Sequence, residues 1–135
     1  MNRPLPQPTA ETAEYWTAAK SGRLVIQRCT ACARHQFYPR PFCTACLSDE
    51  LEWVEASGCG QIYTYTICHI PANPAMAEQV PYAMAVVDLP EGVRMLTQIV
   101  DSDLGQVCIG AAVQVVFESV SDDITLPQFK LLVTP

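Results

Sequence analysis

A chain of 135 residues, half of them hydrophobic and 16% charged, can bury roughly two-thirds of the surface its unfolded form exposes, enough for one core. It is richer in apolar residues than that core needs, which leaves some for an interface. No run approaches the ~18–20 apolar residues of a membrane span, and the opening "MNRPLPQPTAETAEYW" lacks the apolar block of a secretory leader.

A cytoplasmic protein with no membrane contact is therefore expected, its seven cysteines free or metal-bound rather than paired in a disulfide framework. The net charge of −6 is unevenly spread. In residues 1–40, Arg3, Lys20, Arg23, Arg28, Arg34 and Arg40 outweigh Glu11 and Glu14 for a net +4, whereas residues 41–135 set Arg94 and Lys130 against twelve carboxylates for a net −10. A phosphate-bearing ligand should prefer the first third.

In chain order, "PQPTAETAEYWTAAKSG" (6–22) predicts one amphipathic helix, with Thr9 as N-cap, Glu11 in the first turn, Lys20 in the last and Gly22 as terminator. Tyr15, Trp16 and Ala19 then share a face that either covers the core or docks a partner. "RLVIQR" (23–28) is a short strand leading into the first cysteine pair. From residue 51 the chain reads as sheet: "LEWVEA" (51–56), a turn at Gly58 and Gly60, and the long "QIYTYTICHI" (61–70), rich in β-branched and aromatic residues. "PANPAMAEQVP" (71–81), with three prolines, is a loop long enough to carry function. "YAMAVVDL" (82–89), a turn at 90–92, "VRMLTQIV" (93–100), a connector (101–110), "AAVQVVFE" (111–118), a polar turn (119–123) and "TLPQFKLL" (125–132) complete the pattern. Strands at this spacing, with no helical period between most of them, predict a mainly β fold closed as a small barrel.

The stretch "CTACARHQFYPRPFCTAC" (29–46) pairs Cys29 with Cys32 and Cys43 with Cys46, with ten residues between the pairs. Each C-x-x-C can turn back as a knuckle, and two facing knuckles set four thiolates at the corners of a tetrahedron around one ion. Four soft donors suit zinc, and iron also accepts them. A closed four-sulfur shell offers no position to water or substrate, so such a metal is structural. A thioredoxin-type redox pair would need a helix starting at the motif, which Pro39 and Pro41 interrupt. His35 is geometrically able to replace one cysteine; beside four thiolates it reads as a solvent-facing loop residue. Glycine commonly follows the second cysteine of a knuckle, and here Ala33 and Leu47 stand in its place, a departure that weakens the expected site.

Cys59, Cys68 and Cys108 are isolated, and Cys68 and Cys108 read as small buried hydrophobes. Cys68 and His69 are neighbours on a strand and so point to opposite faces, which rules out a nucleophile–base dyad between them. His69 ends the longest strand, where a pocket mouth would lie. Asp122 and Asp123 belong to a solvated turn. There is no nucleophile elbow, metalloprotease helix, glycine-rich phosphate loop or closely spaced carboxylate pair. No catalytic residue is predicted.

The order of parts, "YW", "GRLVIQRC", the four-cysteine stretch, "LEWVEASGCGQIYTYTICH" with Trp53 and the G-x-x-Y-x-Y-T run from Gly60 to Thr66, "PYAMAVVDLPEG", "VVFE" and "TLPQF", resembles the acyl-CoA-associated OB-fold family with an N-terminal rubredoxin-like zinc ribbon (domain of unknown function thirty-five). The resemblance covers nearly the whole chain. It implies a helix over 1–22, a zinc ribbon over 23–50 and an OB-fold barrel over 51–135. It also implies a non-catalytic accessory subunit that joins a thiolase-fold enzyme, or a hot-dog-fold hydratase or an aldolase, in a hetero-oligomer. There the subunit would help form the acyl or acyl-CoA channel, as in acyltransferase or steroid side-chain aldolase complexes. On that reading Arg23, Arg28, Arg34 and Arg40 meet the phosphates of coenzyme A, Tyr63, Tyr65 and His69 line its apolar arm, and Tyr15, Trp16, Phe37 and Tyr38 dock the partner.

Two other classes compete. OB-folds and zinc ribbons both bind single-stranded nucleic acid, and "IYTY" offers rings for stacking, but such binding needs a positive groove and the barrel segment is acidic. An independent enzyme would have to use Cys59 or Cys68 as nucleophile, each without a visible base.

Overall fold

The computed structural model describes residues 6–71, 74 and 77–132. Helix α1 (Ala13–Lys20) is shorter at its start than the sequence suggests, because Thr12 occupies the N-cap position. Thr9 closes the preceding turn instead: its N–H donates to Thr12 Oγ1 at 2.8 Å and its carbonyl accepts from the Thr12 N–H at 3.1 Å. The end is as expected. Gly22 adopts φ +77°, and the N–H groups of Gly22 and Arg23 return to the carbonyls of Ala19 and Ala18, a left-handed exit that a residue with a Cβ resists.

Strand β1 (Val25–Cys29) lies at the centre of a three-stranded antiparallel sheet, flanked by β2 (His35–Gln36) and β3 (Leu51–Glu55). Register runs from Val25 opposite Glu55 to Cys29 opposite Leu51. The boundary expected at residue 50 thus falls just ahead of a strand that hydrogen-bonds into the ribbon, and the barrel strands begin at Cys59.

Strands β4 (Cys59–Cys68), β5 (Tyr82–Asp88), β6 (Arg94–Ile99), β7 (Ala112–Ser119) and β8 (Thr125–Leu131) close a barrel in the order β4-β5-β6-β8-β7. All neighbours are antiparallel except β6 and β8, which meet in parallel at Ile99 and Phe129. Alternation along the strands sends Ile62, Ala83, Ala85, Val87, Met95, Ile99, Val113 and Phe129 inward, each at most 4% exposed, as a sheet with one buried face requires. Helix α1 packs its Tyr15, Trp16, Ala18 and Ala19 face against β1, β7 and β8.

A shift of register between Ile62 and Thr64 marks a bulge at Tyr63. Close by, a Cβ on Gly60 would stand 2.5 Å from the Asp88 carbonyl oxygen and 2.7 Å from Val87 Cγ1, so only glycine lets β4 approach β5 here. Of the proline loop over 71–81, residues 72, 73, 75 and 76 lie outside the described residues. Among the described residues no helix is long and apolar enough to cross a membrane.

Candidate metal centre and the surfaces around it

The doubled C-T-A-C of the sequence is doubled in space. In the first knuckle the Cys29 N–H donates to the Arg34 carbonyl at 2.8 Å and the Ala33 N–H returns to the Cys29 carbonyl at 2.8 Å; in the second, Cys43 donates to Ser48 at 2.7 Å and Leu47 to Cys43 at 2.9 Å. Backbone N–H groups also point at sulfur, from Cys32 to Cys29 Sγ at 3.4 Å and from Ala45 to Cys43 Sγ at 3.3 Å. Ala33 and Leu47, the residues standing where glycine is usual, adopt φ +67° and +65°. The left-handed turn is made without glycine, so that departure changes the cost of the site and not its shape.

All four Sγ atoms lie within 4.8 Å of one another. Cys29 and Cys46 stand 3.6 Å apart across the knuckles, as do Cys32 and Cys43. Four sulfurs bonded at ~2.3 Å to a tetrahedral ion would be about 3.8 Å apart, so Cys29, Cys32, Cys43 and Cys46 can hold one metal ion. Cys29 and Cys43 are buried, whereas Cys32 and Cys46 reach the surface. The backbone N–H groups of Cys46 and Ala45 hold the Cys43 thiol down to about 6. Against the lowering pull of the Ser48 N–H, contacts with Cys29, Cys43 and Cys32 together with desolvation push Cys46 up to about 12. Four thiolates do not coexist at this spacing unless a cation balances them, and metal binding to such a set releases protons. His35 lies on β2, half-buried, outside the sulfur cluster.

A second element of the site was not visible in the cysteine spacing. Gln27 and Gln36 are only 5% and 8% exposed, and Gln36 Nε2 donates to Gln27 Oε1 at 2.7 Å. Gln27 also accepts from the Arg40 N–H at 2.8 Å and donates to the Arg40 carbonyl at 2.9 Å. Gln36 donates to the Phe42 carbonyl at 3.1 Å and accepts from the Thr44 N–H at 2.9 Å. Pro39 and Pro41 have no N–H with which to extend a sheet, so two buried side-chain amides carry the backbone bonds that fasten the loop and, with it, the second knuckle. The pair of prolines just after the second of two glutamine-bearing strands was the available signal.

The expected ligand residues divide. Arg23 and Arg28 pair with Glu55 at 3.7 Å and Glu52 at 2.8 Å across β1 and β3. Arg40 stacks 5.8 Å from the Tyr38 ring and donates to the Pro39 carbonyl, and Arg34 is exposed on the first knuckle. Tyr63 and Tyr65 do not share a face. The bulge leaves Tyr63 on the outer face, its ring 3.8 Å from the Arg94 guanidinium, whereas register sets Tyr65 opposite the core residue Ala85, with 39% of its own surface still exposed. His69 is exposed beyond the end of β4.

The expected docking aromatics are largely spent within the chain. Tyr15 and Trp16 are 4% and 8% exposed, and Tyr15 packs on Trp16, Phe37 and Tyr38 with ring centroids 4.9, 5.6 and 5.9 Å away. These rings pin α1 to the ribbon, and burial, helped by Tyr38, pushes the Tyr15 phenol well up. Tyr38 alone of the four keeps a third of its surface. Cys108 is exposed and Cys68 half-buried, so the reading of both as buried hydrophobes is corrected: their strand and loop ends lie at the rim of the barrel.

The chain matches two family descriptions in succession, "ChsH2, rubredoxin-like zinc ribbon domain" over residues 16–52 and "ChsH2, C-terminal OB-fold domain" over residues 53–118. It is 39% identical over 128 residues, 95% of its length, to a probable enoyl-CoA hydratase alpha subunit of Thermomonospora curvata, of which it spans only 40%. It is 37% identical over 101 residues to a DUF35 domain-containing scaffold protein of Methanocaldococcus jannaschii, covering 74% of this chain and 71% of that one. Among solved structures, a chain of the Ltp2–ChsH2(DUF35) aldolase superposes with a TM-score of 0.85 at 38% identity, covering 96% of this chain and 100% of that one. With its clustered knuckle thiols, ribbon sheet and five-stranded closed barrel, the chain belongs to the DUF35 family of ChsH2-type zinc-ribbon and OB-fold proteins.

Proposed function

We propose that this chain is a non-catalytic accessory subunit that docks in a hetero-oligomer on a thiolase-fold, hydratase or aldolase enzyme of acyl-CoA chemistry and helps form its acyl or acyl-CoA channel. The observation that carries this reading is the superposition on a chain of the Ltp2–ChsH2(DUF35) aldolase, at 38% identity over 96% of this chain and 100% of that one. The arrangement of residues is in keeping with it: among the described residues, the isolated thiols Cys59, Cys68 and Cys108 belong to no cluster of metal-ligating side chains.

Zinc is the ion we assign to Cys29, Cys32, Cys43 and Cys46, with iron the other occupant that four sulfurs accept. When bound it supplies a cross-link between the two knuckles and no open coordination position. The chain's own contribution is to aim backbone N–H groups at sulfur and to fasten the second knuckle through Gln27 and Gln36. Thiols kept for a metal suit a reducing compartment, which supports a cytoplasmic location.

For coenzyme A, Arg34 and Arg40 are the residues we assign to the phosphates, because Arg23 and Arg28 are engaged by Glu55 and Glu52. The nucleic-acid alternative asks for a basic groove along the barrel, and Arg94 is held there by Asp88 at 2.7 Å.

Co-expression of the tagged chain with thiolase-, hydratase- and aldolase-type chains of its host tests the proposal. One of these is expected to co-elute with it in a stable ratio and to show acyl-CoA activity that the accessory chain alone lacks. Turnover of a thioester by the purified chain, or elution free of all three classes, would refute it. Metal analysis of the same sample is expected to give one zinc per chain.

A further inference from the structure

The outer face of the three consecutive strands β4, β5 and β6 is unlike the rest of the barrel. Register aligns its residues in rows: Thr64 opposite Val86 opposite Leu96, and Thr66 opposite Met84 opposite Gln98, with Asp88 and Arg94 paired at one end beside Tyr63. The intervening rows, Ile62–Val87–Met95 and Tyr65–Ala85–Thr97, are buried except for Tyr65, which is 39% exposed. A barrel face in water ordinarily carries polar residues at the outward positions. Here the centre is Val86, Met84 and Leu96, with Leu96 69% and Tyr63 47% exposed.

Charge is depleted in the same place. Of the twelve carboxylates in residues 41–135, Asp88 alone falls in these rows, and Arg94 neutralises it through Nε at 2.7 Å. The guanidinium is fixed a second time by the Tyr63 ring at 3.8 Å. A guanidinium carries five N–H donors, and the Asp88 contact uses one, so an already immobilised arginine still has donors to offer. At the opposite end, beside Gln98, opens a cavity of about 450 Å³ lined by Asp101, Glu118, Gln79, Gln98 and Gln128 among others.

An apolar, charge-depleted centre with a rigid arginine–tyrosine pair at its edge has the composition of an interface core. We infer that this β4–β5–β6 face is where the barrel seats the partner enzyme proposed above. The inference rests on that proposal and names the surface and its complement: an apolar patch over Leu96 and Val86, a carboxylate or carbonyl acceptor at Arg94, and a lysine or arginine side chain reaching the Asp101 and Glu118 cavity. A second copy of this chain is the poorer occupant, because it would bring together two barrel segments (residues 59–135) in which eight carboxylates face Arg94 and Lys130 for a net charge of −6, which repel.

The test uses the complex obtained by co-expression. Leu96→Asp alters an exposed side chain of the face, Glu118→Lys an exposed one in the cavity at its end, and Ile109→Asp an equally exposed apolar residue, 68% accessible, on a loop outside it. Unchanged zinc content and melting temperature establish that each variant folds. Leu96→Asp is expected to weaken the complex at least about tenfold and Glu118→Lys several-fold, with Ile109→Asp at the wild-type value. A complex of wild-type strength with Leu96→Asp overturns the assignment of the face while leaving the accessory role standing. Failure of the wild-type chain to bind any of the three enzyme classes ends both. Sedimentation of the chain alone separates the remaining occupant: a wild-type dimer that Leu96→Asp dissolves would show that the face seats a second copy, which also overturns the inference.

Discussion

The ribbon and the barrel sit in one chain but are held by different forces. The barrel closes over Ile62, Ala83, Ala85, Val87, Met95, Ile99, Val113 and Phe129, a continuous apolar interior of the kind that drives folding without help. The ribbon, by contrast, buries Val25 and Ile26 from its central strand, Ile26 in one apolar cluster with the barrel interior, and beyond these it buries Pro39, Gln27, Gln36 and the sulfurs of Cys29 and Cys43. It therefore replaces apolar area with an amide network and a four-thiolate clasp. The barrel strands are thus held mainly by apolar packing, whereas the ribbon depends more on polar contacts and on four sulfurs placed to hold an ion.

Removing the metal should break that comparison open most widely. Binding to four-cysteine sites contributes on the order of 10 kcal/mol, more than a ribbon of this composition can recover elsewhere. With a strong chelator, or with Cys43→Ser and Cys46→Ser together, amide protection is expected to vanish across Val25–Cys29 and Leu51–Glu55 and to persist in Tyr82–Asp88 and Arg94–Ile99 by hydrogen exchange. Simultaneous loss in both regions would mean that the two share one cooperative unit.

The converse is Phe129→Ala. Phe129 is fully buried where β6 meets β8 in parallel, and truncating such a ring costs about 3–5 kcal/mol. Chemical denaturation should register that loss while the folded fraction keeps its metal. Next comes Gln36→Leu, which deprives the Thr44 N–H and the Phe42 carbonyl of their partner and leaves Gln27 Oε1 with the Arg40 N–H alone. Each buried group left unpaired costs about 1–3 kcal/mol, so the expected total is about 3 kcal/mol, confined to the ribbon and read as faster metal transfer to a competing chelator.

Legibility in the sequence followed the same division. Cysteine spacing and strand alternation are local patterns, so the clasp, the barrel strands and the Gly22 helix stop could be read directly. The Tyr63 bulge could not, since strict alternation puts Tyr63 and Tyr65 on one face and only the pairing partner shows the extra residue. Nor could the fate of Tyr15 and Trp16, whose helical spacing reveals a shared face without revealing that Phe37 and Tyr38 fill it. The pairing of Arg23 and Arg28 with Glu55 and Glu52 depended on β3 joining the ribbon sheet, a long-range choice that leaves no mark in composition.

The smallest effect probes the knuckles themselves. Leu47 stands at φ +65° with 77% of its surface exposed, a conformation that costs a residue with a Cβ about 1–2 kcal/mol. Glycine would remove that cost but lose more entropy on folding, about 0.5–1 kcal/mol, so Leu47→Gly is expected to stabilise the ribbon by about 1 kcal/mol or less. Competition with a chelator should then show zinc held up to about fivefold more tightly, and Ala33→Gly should do the same on the other knuckle. Unchanged affinity in both variants would locate the ribbon's cost elsewhere than in these two turns. If Leu47→Gly tightens zinc yet loosens the complex with the partner enzyme, the exposed leucine side chain contributes to docking, and the strain at this knuckle is the cost of presenting it.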